Sequence, residues 1–328
     1  MDISTPSATP PGAPSVCVLA LDVGGTGMKG AVLDPAMRPV TSLRRPTPRA
    51  QGPDAVVDAV AETLLDLERL ATERGLRVEQ AGVVVPGIVD ETLQRAVWSA
   101  NIGWRDLPLA AVLAERTGLP VRLGHDVRAG SAAECALGAA RGARNVLFVA
   151  LGTGIAAAMS SDGRPVRAGG FAGELGHVRV RGGTACPCGG VGCLETVASA
   201  HAVASAYATR TRRPVRGAAE VAARLQAGDP VARAVWDEAT EGLAEALAMV
   251  TSLVAPELVV LGGGLAEADR LLLDPVRDSL DARLTFQRRP VLVRAGLGDK
   301  AGCLGAGLSA WQAAGHHLPT SVAGVPTP

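Results

Sequence analysis

Hydrophobic and polar positions along the first half of the chain alternate between the period of buried strands and the period of amphipathic helices. The apolar run SVCVLALDV predicts a buried strand, and apolar spacing over residues 54–74 predicts a helix that ends at Gly75. Further strands are predicted at AGVVVPG, PVRLG and NVLFVALGTG, with helices over residues 106–117 and from Asp126 to about Gly142. This alternation favours an α/β fold in which helices flank sheets.

The second half continues the alternation around longer helices. Asp229 and Pro230 predict the N-cap and first residue of a helix that runs to about Val254. The stretch PELVVLGGGLAEA predicts a strand, a triple glycine and the start of a helix. A small-residue helix is predicted from Gly302 to about Ala314, and we expect it to pack against the first domain.

A glycine-rich turn follows the first strand in the stretch LALDVGGTGMKGAVLD, where Gly25, Gly27 and Gly30 form a G-x-G-x-x-G sequence. A dinucleotide fingerprint needs a helix at those glycines. Here a second short strand follows instead, so the sequence predicts a β-hairpin. The stretch LFVALGTGIAAAMSSD repeats the pattern about 130 residues later, which predicts a duplicated domain with a cleft between its halves.

Composition narrows the class of protein. The 328 residues include 32 basic and 32 acidic side chains, and aromatic residues make up only 2%, so nucleic-acid binding is disfavoured. No apolar run approaches the roughly 20 residues of a membrane span, and the beginning does not resemble a signal peptide. We therefore expect a cytoplasmic protein that does not bind membranes.

We expect two lobes between two disordered tails. The predicted boundaries are 1–15 for the first tail, 16–124 for the N-terminal lobe, 125–301 for the larger C-terminal lobe and 316–328 for the last tail. A helix over about 302–315 is expected to complete the N-terminal lobe.

The first glycine turn is a candidate phosphate site, because several of its backbone N–H groups can point into one concavity. The candidate residues are Gly24, Gly25, Thr26 and Gly27. Lys29 either contacts phosphate or is a solvated charge. Asp22 either holds hydrated Mg²⁺ or caps the turn.

Asp126 is the candidate general base. It follows a strand that we expect to be parallel, and ligands of open α/β sheets lie at the carboxyl ends of such strands. A carboxylate there can accept a hydroxyl proton while the oxygen attacks a phosphoryl group. The alternative is that Asp126 caps the helix that follows.

The stretch GELGHVRVRGGTACPCGGVGCLE has the spacing of a metal site. His177, Cys186, Cys188 and Cys193 are good Zn²⁺ ligands, and four protein ligands close a tetrahedral, structural site. The alternative is a loop of reduced cysteines. Glu174 and Glu195 flank this cluster and are either acceptors for ligand hydroxyl groups or surface charges.

Several stretches in this order resemble the ROK family of repressors, open reading frames and kinases, and most closely its glucokinase-like sugar kinases. They are LDVGGTGMKGAVLD, VPGIVD, NIGW, HDVRAGSAAE, LGTGIAAAM, GELGH, CPCGGVGCLE and VVLGGGL, within about residues 16–314. The resemblance implies the two-lobed actin-like ATPase (ribonuclease H-like) fold, whose lobes close over sugar and ATP. It also implies a homodimer or homotetramer.

The resemblance assigns roles to individual residues. It implies that Asp126 is the general base and that sugar hydroxyl groups are bound by Asn101, His125, Asp126, Glu174, His177 and Glu195. It implies that the ATP phosphates are bound by the first turn and by Gly152, Thr153 and Gly154, with Gly262, Gly263 and Gly264 near the adenosine. The expected cofactors are structural Zn²⁺ and the Mg²⁺ that accompanies ATP.

Three features depart from the family pattern. His125 stands where the family usually has Asn, which leaves the identity of the sugar open. Ala156, Ala157 and Ala158 replace a glycine run, and the loop from His177 to Cys186 is one residue shorter than usual. The resemblance as a whole implies an ATP-dependent kinase that forms glucose 6-phosphate. A kinase of N-acetylmannosamine, N-acetylglucosamine or another hexose is the alternative.

Proteins without catalytic activity are the rivals from another class. A sugar-sensing repressor of the same family would carry an N-terminal helix-turn-helix, and we expect the roughly fifteen residues before the first strand to be too few for one. A sugar-binding protein without activity is disfavoured by the presence of Asp126. The phosphoryl donor, ATP or polyphosphate, stays open.

Overall fold

The computed structural model describes residues 15–316, so the two predicted tails lie outside the described residues apart from one residue each. The α-helices are α1 (Pro53–Thr72), α2 (Leu109–Thr117), α3 (Asp126–Leu137), α4 (Glu195–Ala198), α5 (Ala200–Thr211), α6 (Ala218–Gln226), α7 (Pro230–Val254), α8 (Arg270–Arg283) and α9 (Ala301–Ala313). The strands are β1 (Val16–Val23), β2 (Gly27–Leu33), β3 (Pro39–Pro46), β4 (Arg77–Val85), β5 (Ile88–Asp90), β6 (Arg95–Trp98), β7 (Arg105–Leu107), β8 (Val121–His125), β9 (Val146–Leu151), β10 (Ile155–Ser161), β11 (Arg164–Pro165), β12 (Leu258–Gly262) and β13 (Val291–Arg294).

Two five-stranded sheets have the same internal order. The first is ordered β3-β2-β1-β4-β8 and the second β11-β10-β9-β12-β13. In each sheet the central strand pairs antiparallel with the next strand in sequence and parallel with a later one. The predicted duplication of a hairpin-containing α/β unit is therefore confirmed.

The last helix packs against the first sheet, as its small residues predicted. Gly82 of β4 approaches α9 so closely that an added Cβ atom would lie 2.0 Å from the carbonyl oxygen of Ala306. The contact of α9 with α3 is equally close, because a Cβ atom on Gly305 would lie 2.1 Å from the carbonyl oxygen of Ala129. Small side chains thus bring α3 and α9 to backbone contact beside the sheet.

Apolar side chains form a separate core in each half. One core cluster surrounds β9, β12 and α7, and another lies between β1, β4 and α1. The stripe predicted on α1 is buried, since Val57, Val60, Leu64, Leu67 and Ala71 are each at most 3% exposed. Two separate cores fit two lobes, and the exact boundary between the lobes stays a prediction.

Two predicted helix boundaries were wrong. The helix expected from Asp106 begins at Leu109, because Arg105 and Leu107 pair with β6 and complete a three-stranded sheet, β5-β6-β7. The helix expected to reach Gly142 ends at Leu137. Membrane-spanning helices are absent among residues 15–316, where none is both long and apolar enough.

Candidate functional site

The first glycine turn, residues 24–27, connects β1 to β2 and is held in shape by hydrogen bonds. The Gly24 amide donates to the Gly27 carbonyl at 2.9 Å. Thr47, which is buried, donates its hydroxyl to the Gly24 carbonyl at 2.6 Å and its amide to the Thr26 carbonyl at 3.2 Å. Thr47 directly follows β3 and braces the turn, whose amides at Gly25 and Thr26 are candidates to bind a phosphate group.

The second turn, residues 152–154, repeats this arrangement between β9 and β10. The Gly152 amide donates to the Gly154 carbonyl at 3.0 Å. The triple glycine, residues 262–264, lies against the same place, because a Cβ atom on Gly263 would lie 2.5 Å from the carbonyl oxygen of Leu151. With a φ of +84°, Gly263 also has the left-handed conformation that favours glycine. The two glycine-rich segments of the second half thus form one surface.

Two cavities meet at Lys29 and together form a groove. One, of about 510 Å³, is lined by Asp22, Gly24, Thr26, Gly27, Met28, Lys29, Arg44, Arg45 and Pro46. The other, of about 670 Å³, is lined by Lys29, Leu261, Gly262, Gly263, Gly264, Ala266, Glu267, Arg294, Ala295, Gly296, Leu297, Gly298 and Asp299. The first has the charge and backbone amides for phosphates, and the second has room for a nucleoside.

Lys29 joins the two halves of the molecule at this groove. Its ammonium group donates to the Asp299 carbonyl at 3.2 Å and lies 3.8 Å from the Asp299 carboxylate. Arg44 binds the same carboxylate at 2.7 Å. Lys29 is therefore paired rather than simply solvated. Arg44, Thr47 and Asp299 belong to the site although sequence patterns did not indicate them.

Asp126 lies at the junction of β8 and α3, as predicted. Its carboxylate accepts the Val127 amide at 2.7 Å and keeps 28% of its side chain exposed. Burial, and then the nearby charge of Asp22, raise the pKa of Asp126 from 3.8 to about 7. The pKa of Asp22 is also raised, mainly by burial. Asp126 therefore lies close enough to Asp22, near the end of β1, for the two carboxylates to interact electrostatically. A raised pKa suits a general base.

His125, rather than Asp126, caps helix α3. Its Nδ1 atom accepts the Arg128 amide at 3.3 Å, and its side chain is 9% exposed. Burial, together with the charge of Arg128, lowers the pKa of His125 to about 3. The ring is therefore neutral, and because Nδ1 accepts the Arg128 amide, we assign the proton to Nε2.

The segment GELGH is fixed on β10 by its two glycines. A Cβ atom on Gly173 would lie 2.0 Å from the Ala157 carbonyl oxygen, and one on Gly176 would lie 2.2 Å from the Ile155 carbonyl oxygen. The Ala157 amide also donates to the Gly173 carbonyl at 2.7 Å. Glu174 is therefore held directly beside the strand that leaves the second turn.

Glu195 and Asn101 each lie beside a glycine turn. The Glu195 carboxylate accepts the Ile155 amide at 2.8 Å, and a Cβ atom on Gly154 would lie 2.4 Å from it. On the other side, a Cβ atom on Gly25 would lie 4.0 Å from the Asn101 Cβ atom. Within the part of the chain that the structure describes, no hydrogen bond joins Asn101, Glu174 and Asp126 to one another.

The four predicted metal ligands converge. Ligand atoms of His177, Cys186, Cys188 and Cys193 all lie within 4.8 Å of one another. Nδ1 of His177 lies 3.8 Å from the sulfur of Cys186, and the sulfurs of Cys188 and Cys193 are 3.7 Å apart. Tetrahedral Zn²⁺ with Zn–S bonds near 2.3 Å requires S···S separations of roughly 3.8 Å. One Cys₃His tetrahedron therefore fits these residues.

His177 also lies near a carboxylate. While Nδ1 faces the sulfurs, Nε2 lies 3.9 Å from the Glu174 carboxylate. Glu195 follows Cys193 after a single residue, so both carboxylates are attached to the segment that a metal would brace.

Comparisons with known proteins show the family of the chain. The model of the ROK family matches residues 18–313. A glucokinase of Halalkalibacterium halodurans is 33% identical over 283 residues, which cover 80% of this chain and 85% of the relative. Among solved structures, the ROK hexokinase of Thermus thermophilus is 36% identical, with a TM-score of 0.78 over 90% of this chain and 98% of its own. The ROK family glucokinase of Streptomyces griseus, solved with glucose and AMPPNP, is 29% identical, with a TM-score of 0.79 over 90% and 99%.

Proposed function

The chain belongs to the ROK family, and from that premise we propose that it is an ATP-dependent kinase that phosphorylates a hexose, with glucose and its 6-hydroxyl as the substrate. The observation that carries the proposal is the position of Asp126. Its carboxylate has a pKa of about 7 and lies within electrostatic reach of Asp22, which ends the strand before the first turn. A base beside a phosphate-binding turn is what phosphoryl transfer to an alcohol needs.

The proposed reaction is a direct transfer. Asp126 accepts the proton of the sugar hydroxyl while the hydroxyl oxygen attacks the γ-phosphorus of ATP. The bond between that phosphorus and the β-γ bridging oxygen breaks, which releases ADP. Amides of the first turn, with Lys29 and Arg44, neutralise phosphate charge. Asp22 would hold the Mg²⁺ that accompanies ATP, which would neutralise further phosphate charge.

The remaining polar groups are proposed to hold the sugar. Asn101, His125, Glu174 and Glu195 offer donors and acceptors for hydroxyl groups, and a buried partner left unpaired rejects the wrong sugar. Structural Zn²⁺ at the Cys₃His cluster would fix the two glutamates. The nucleoside-sized cavity beside the triple glycine favours ATP over polyphosphate as the donor. Cytoplasmic location and a homodimer or homotetramer stay predictions.

A substrate panel tests the proposal. We expect ADP release with glucose to exceed that with mannose, N-acetylmannosamine, N-acetylglucosamine, fructose and allose, each compared by kcat/KM. A higher kcat/KM with N-acetylmannosamine or N-acetylglucosamine would show that the substrate is an N-acylated hexosamine, the alternative that His125 leaves open. If sugar binds but no member of the panel leads to ADP release, that result would contradict a kinase and favour a sugar-sensing regulator.

The pH profile tests the role of Asp126 separately. The base works only when deprotonated, and its pKa is about 7, so kcat/KM is expected to fall nearly tenfold per pH unit below about 6.5 and to level off above about 8. Steady-state rates with glucose from pH 5.5 to 8.5 measure this. A profile that stays flat down to pH 5.5 would mean that no group with this pKa acts as the base.

A further inference from the structure

A buried guanidinium group lies behind the candidate base. Arg128, in the first turn of α3, is 7% exposed. Its Nε atom donates to the Glu91 carboxylate at 2.9 Å, one terminal nitrogen donates to the Val89 carbonyl at 2.9 Å, and the other donates to the Gly170 carbonyl at 3.3 Å. One side chain thus binds three acceptors from two distant stretches of the chain.

Each segment that meets at Arg128 leads to a proposed sugar contact. Arg128 itself follows Asp126 by two residues on α3. Val89 pairs with Ala96 of β6, the strand that precedes the loop of Asn101. Gly170 lies four residues before Glu174.

The segments are also in direct contact around this group. Gly170 has a φ of +95°, and a Cβ atom there would lie 2.4 Å from the Val89 carbonyl oxygen. Glu91 accepts the His125 amide at 3.2 Å through one oxygen and Arg167 at 2.6 Å through the other. A small displacement of Arg128 would therefore shift Asp126 on one side and the segment of Glu174 on the other.

From this geometry, and resting on the proposed function above, we propose that Arg128 is a positioning residue that assembles the sugar site by fixing three segments relative to one another. A buried ion pair contributes little net stability compared with an apolar replacement of similar volume. What Arg128 adds is the planar fork that binds a carboxylate and two carbonyls at once, which a lysine cannot reproduce.

Nucleotide binding is expected to be independent of this residue. The two cavities of the nucleotide groove are lined by neither Arg128 nor its partner Glu91. Loss of Arg128 should therefore raise the sugar KM much more than the ATP KM. A general loss of folding would impair the binding of both substrates.

A separate cavity gives small molecules access to Arg128. Glu91, Arg128 and Arg167 line an open cavity of about 820 Å³ on the side of α3 and α9. A guanidinium ion can enter it and occupy the place that Arg128→Ala vacates. Methylammonium, which has one point charge and no planar fork, cannot bind the same acceptors together.

The test compares Arg128→Ala and Arg128→Lys with the wild type under saturating co-substrate. We expect the sugar KM to rise about 10- to 100-fold and kcat to fall by a similar factor in both variants, with the ATP KM changed less than about threefold. Millimolar guanidinium should restore several-fold activity to Arg128→Ala, and methylammonium should not. Arg224→Ala, which removes a paired arginine distant in sequence from these segments, serves as the control and should match the wild type.

The outcomes separate two failures. If the wild type phosphorylates sugar and Arg128→Lys keeps its sugar KM within threefold, the positioning role is refuted while the proposed function stands. An equal rise in both KM values without guanidinium rescue would also refute it. If the wild type phosphorylates no sugar, the proposed function itself fails. Arg128→Lys decides the matter should the alanine variant not fold.

Discussion

Asp126→Asn is expected to lower kcat by about 10²- to 10⁴-fold, the range that a positioned general base contributes. Asparagine has almost the same shape but cannot accept the hydroxyl proton, so the sugar dissociation constant should change little. Steady-state ADP release measures kcat, and calorimetric titration with glucose measures binding. Asp34→Asn is the matched control, because Asp34 also accepts a backbone amide, at 2.8 Å, but lies in the turn after β2. Near-normal turnover in Asp126→Asn would refute the base assignment.

The same variant is expected to be more stable than the wild type at pH 8. The folded-state pKa of about 7 lies above the ordinary value of 3.8, so the protonated carboxyl favours folding below pH 3.8 and this contribution is lost as the pH rises through 7. Ionised Asp126 therefore opposes folding at pH 8 by at most about 4 kcal/mol, and asparagine removes that cost. Thermal melts at pH 8 and pH 4 measure it. A gain that is equal at both pH values would contradict the electrostatic cause.

Cys188→Ser is expected to abolish stoichiometric metal binding. Cys188 is exposed, so its replacement leaves no cavity, and any effect comes from the loss of a ligand. Without the metal, the segment that carries Glu174 and Glu195 is less constrained, and we expect the sugar KM to rise about 10- to 100-fold while the ATP KM changes little. Metal analysis by mass spectrometry and the two KM values measure this.

Cys135→Ser is the control for the cysteine variant. Cys135 is a free cysteine on α3 outside the Cys₃His cluster, and its replacement should leave one zinc per chain. Unchanged metal content in Cys188→Ser would refute the ligand set. Loss of metal without any change in sugar KM would refute the coupling between the cluster and the two glutamates.

The parts of the site that lie close together in sequence could be predicted from local patterns. Both glycine turns follow apolar strands directly, and Asp126 follows a strand at the edge where parallel strands end. The metal ligands lie within seventeen residues, so their spacing alone indicates the cluster. Local chemistry determines these features, which is why the sequence predicts them.

The rest depends on pairing between distant residues. Asp106 has the polarity of a helix start, but pairing of its neighbours with β6 outweighs that local preference. Helix α3 ends at Leu137, and the buried carboxylate of Glu134 accepts the amides of Ala139, Gly296 and Leu297. No local pattern indicates such contacts.

The contact between Glu91 and Arg128 joins positions 37 residues apart. Nothing in the spacing of these residues distinguishes them from surface charges. Only the folded backbone shows that they meet behind His125 and Asp126.

The central claim is that the protein transfers the γ-phosphoryl group of ATP to glucose with Asp126 as the base. It is tested most directly by following ³²P from the γ-phosphate of ATP to glucose. The account predicts that the wild type places the label on glucose as the 6-phosphate in an amount equal to the ADP formed, and that Asp126→Asn does not. Release of the label as inorganic phosphate, with glucose left unlabelled, would contradict it.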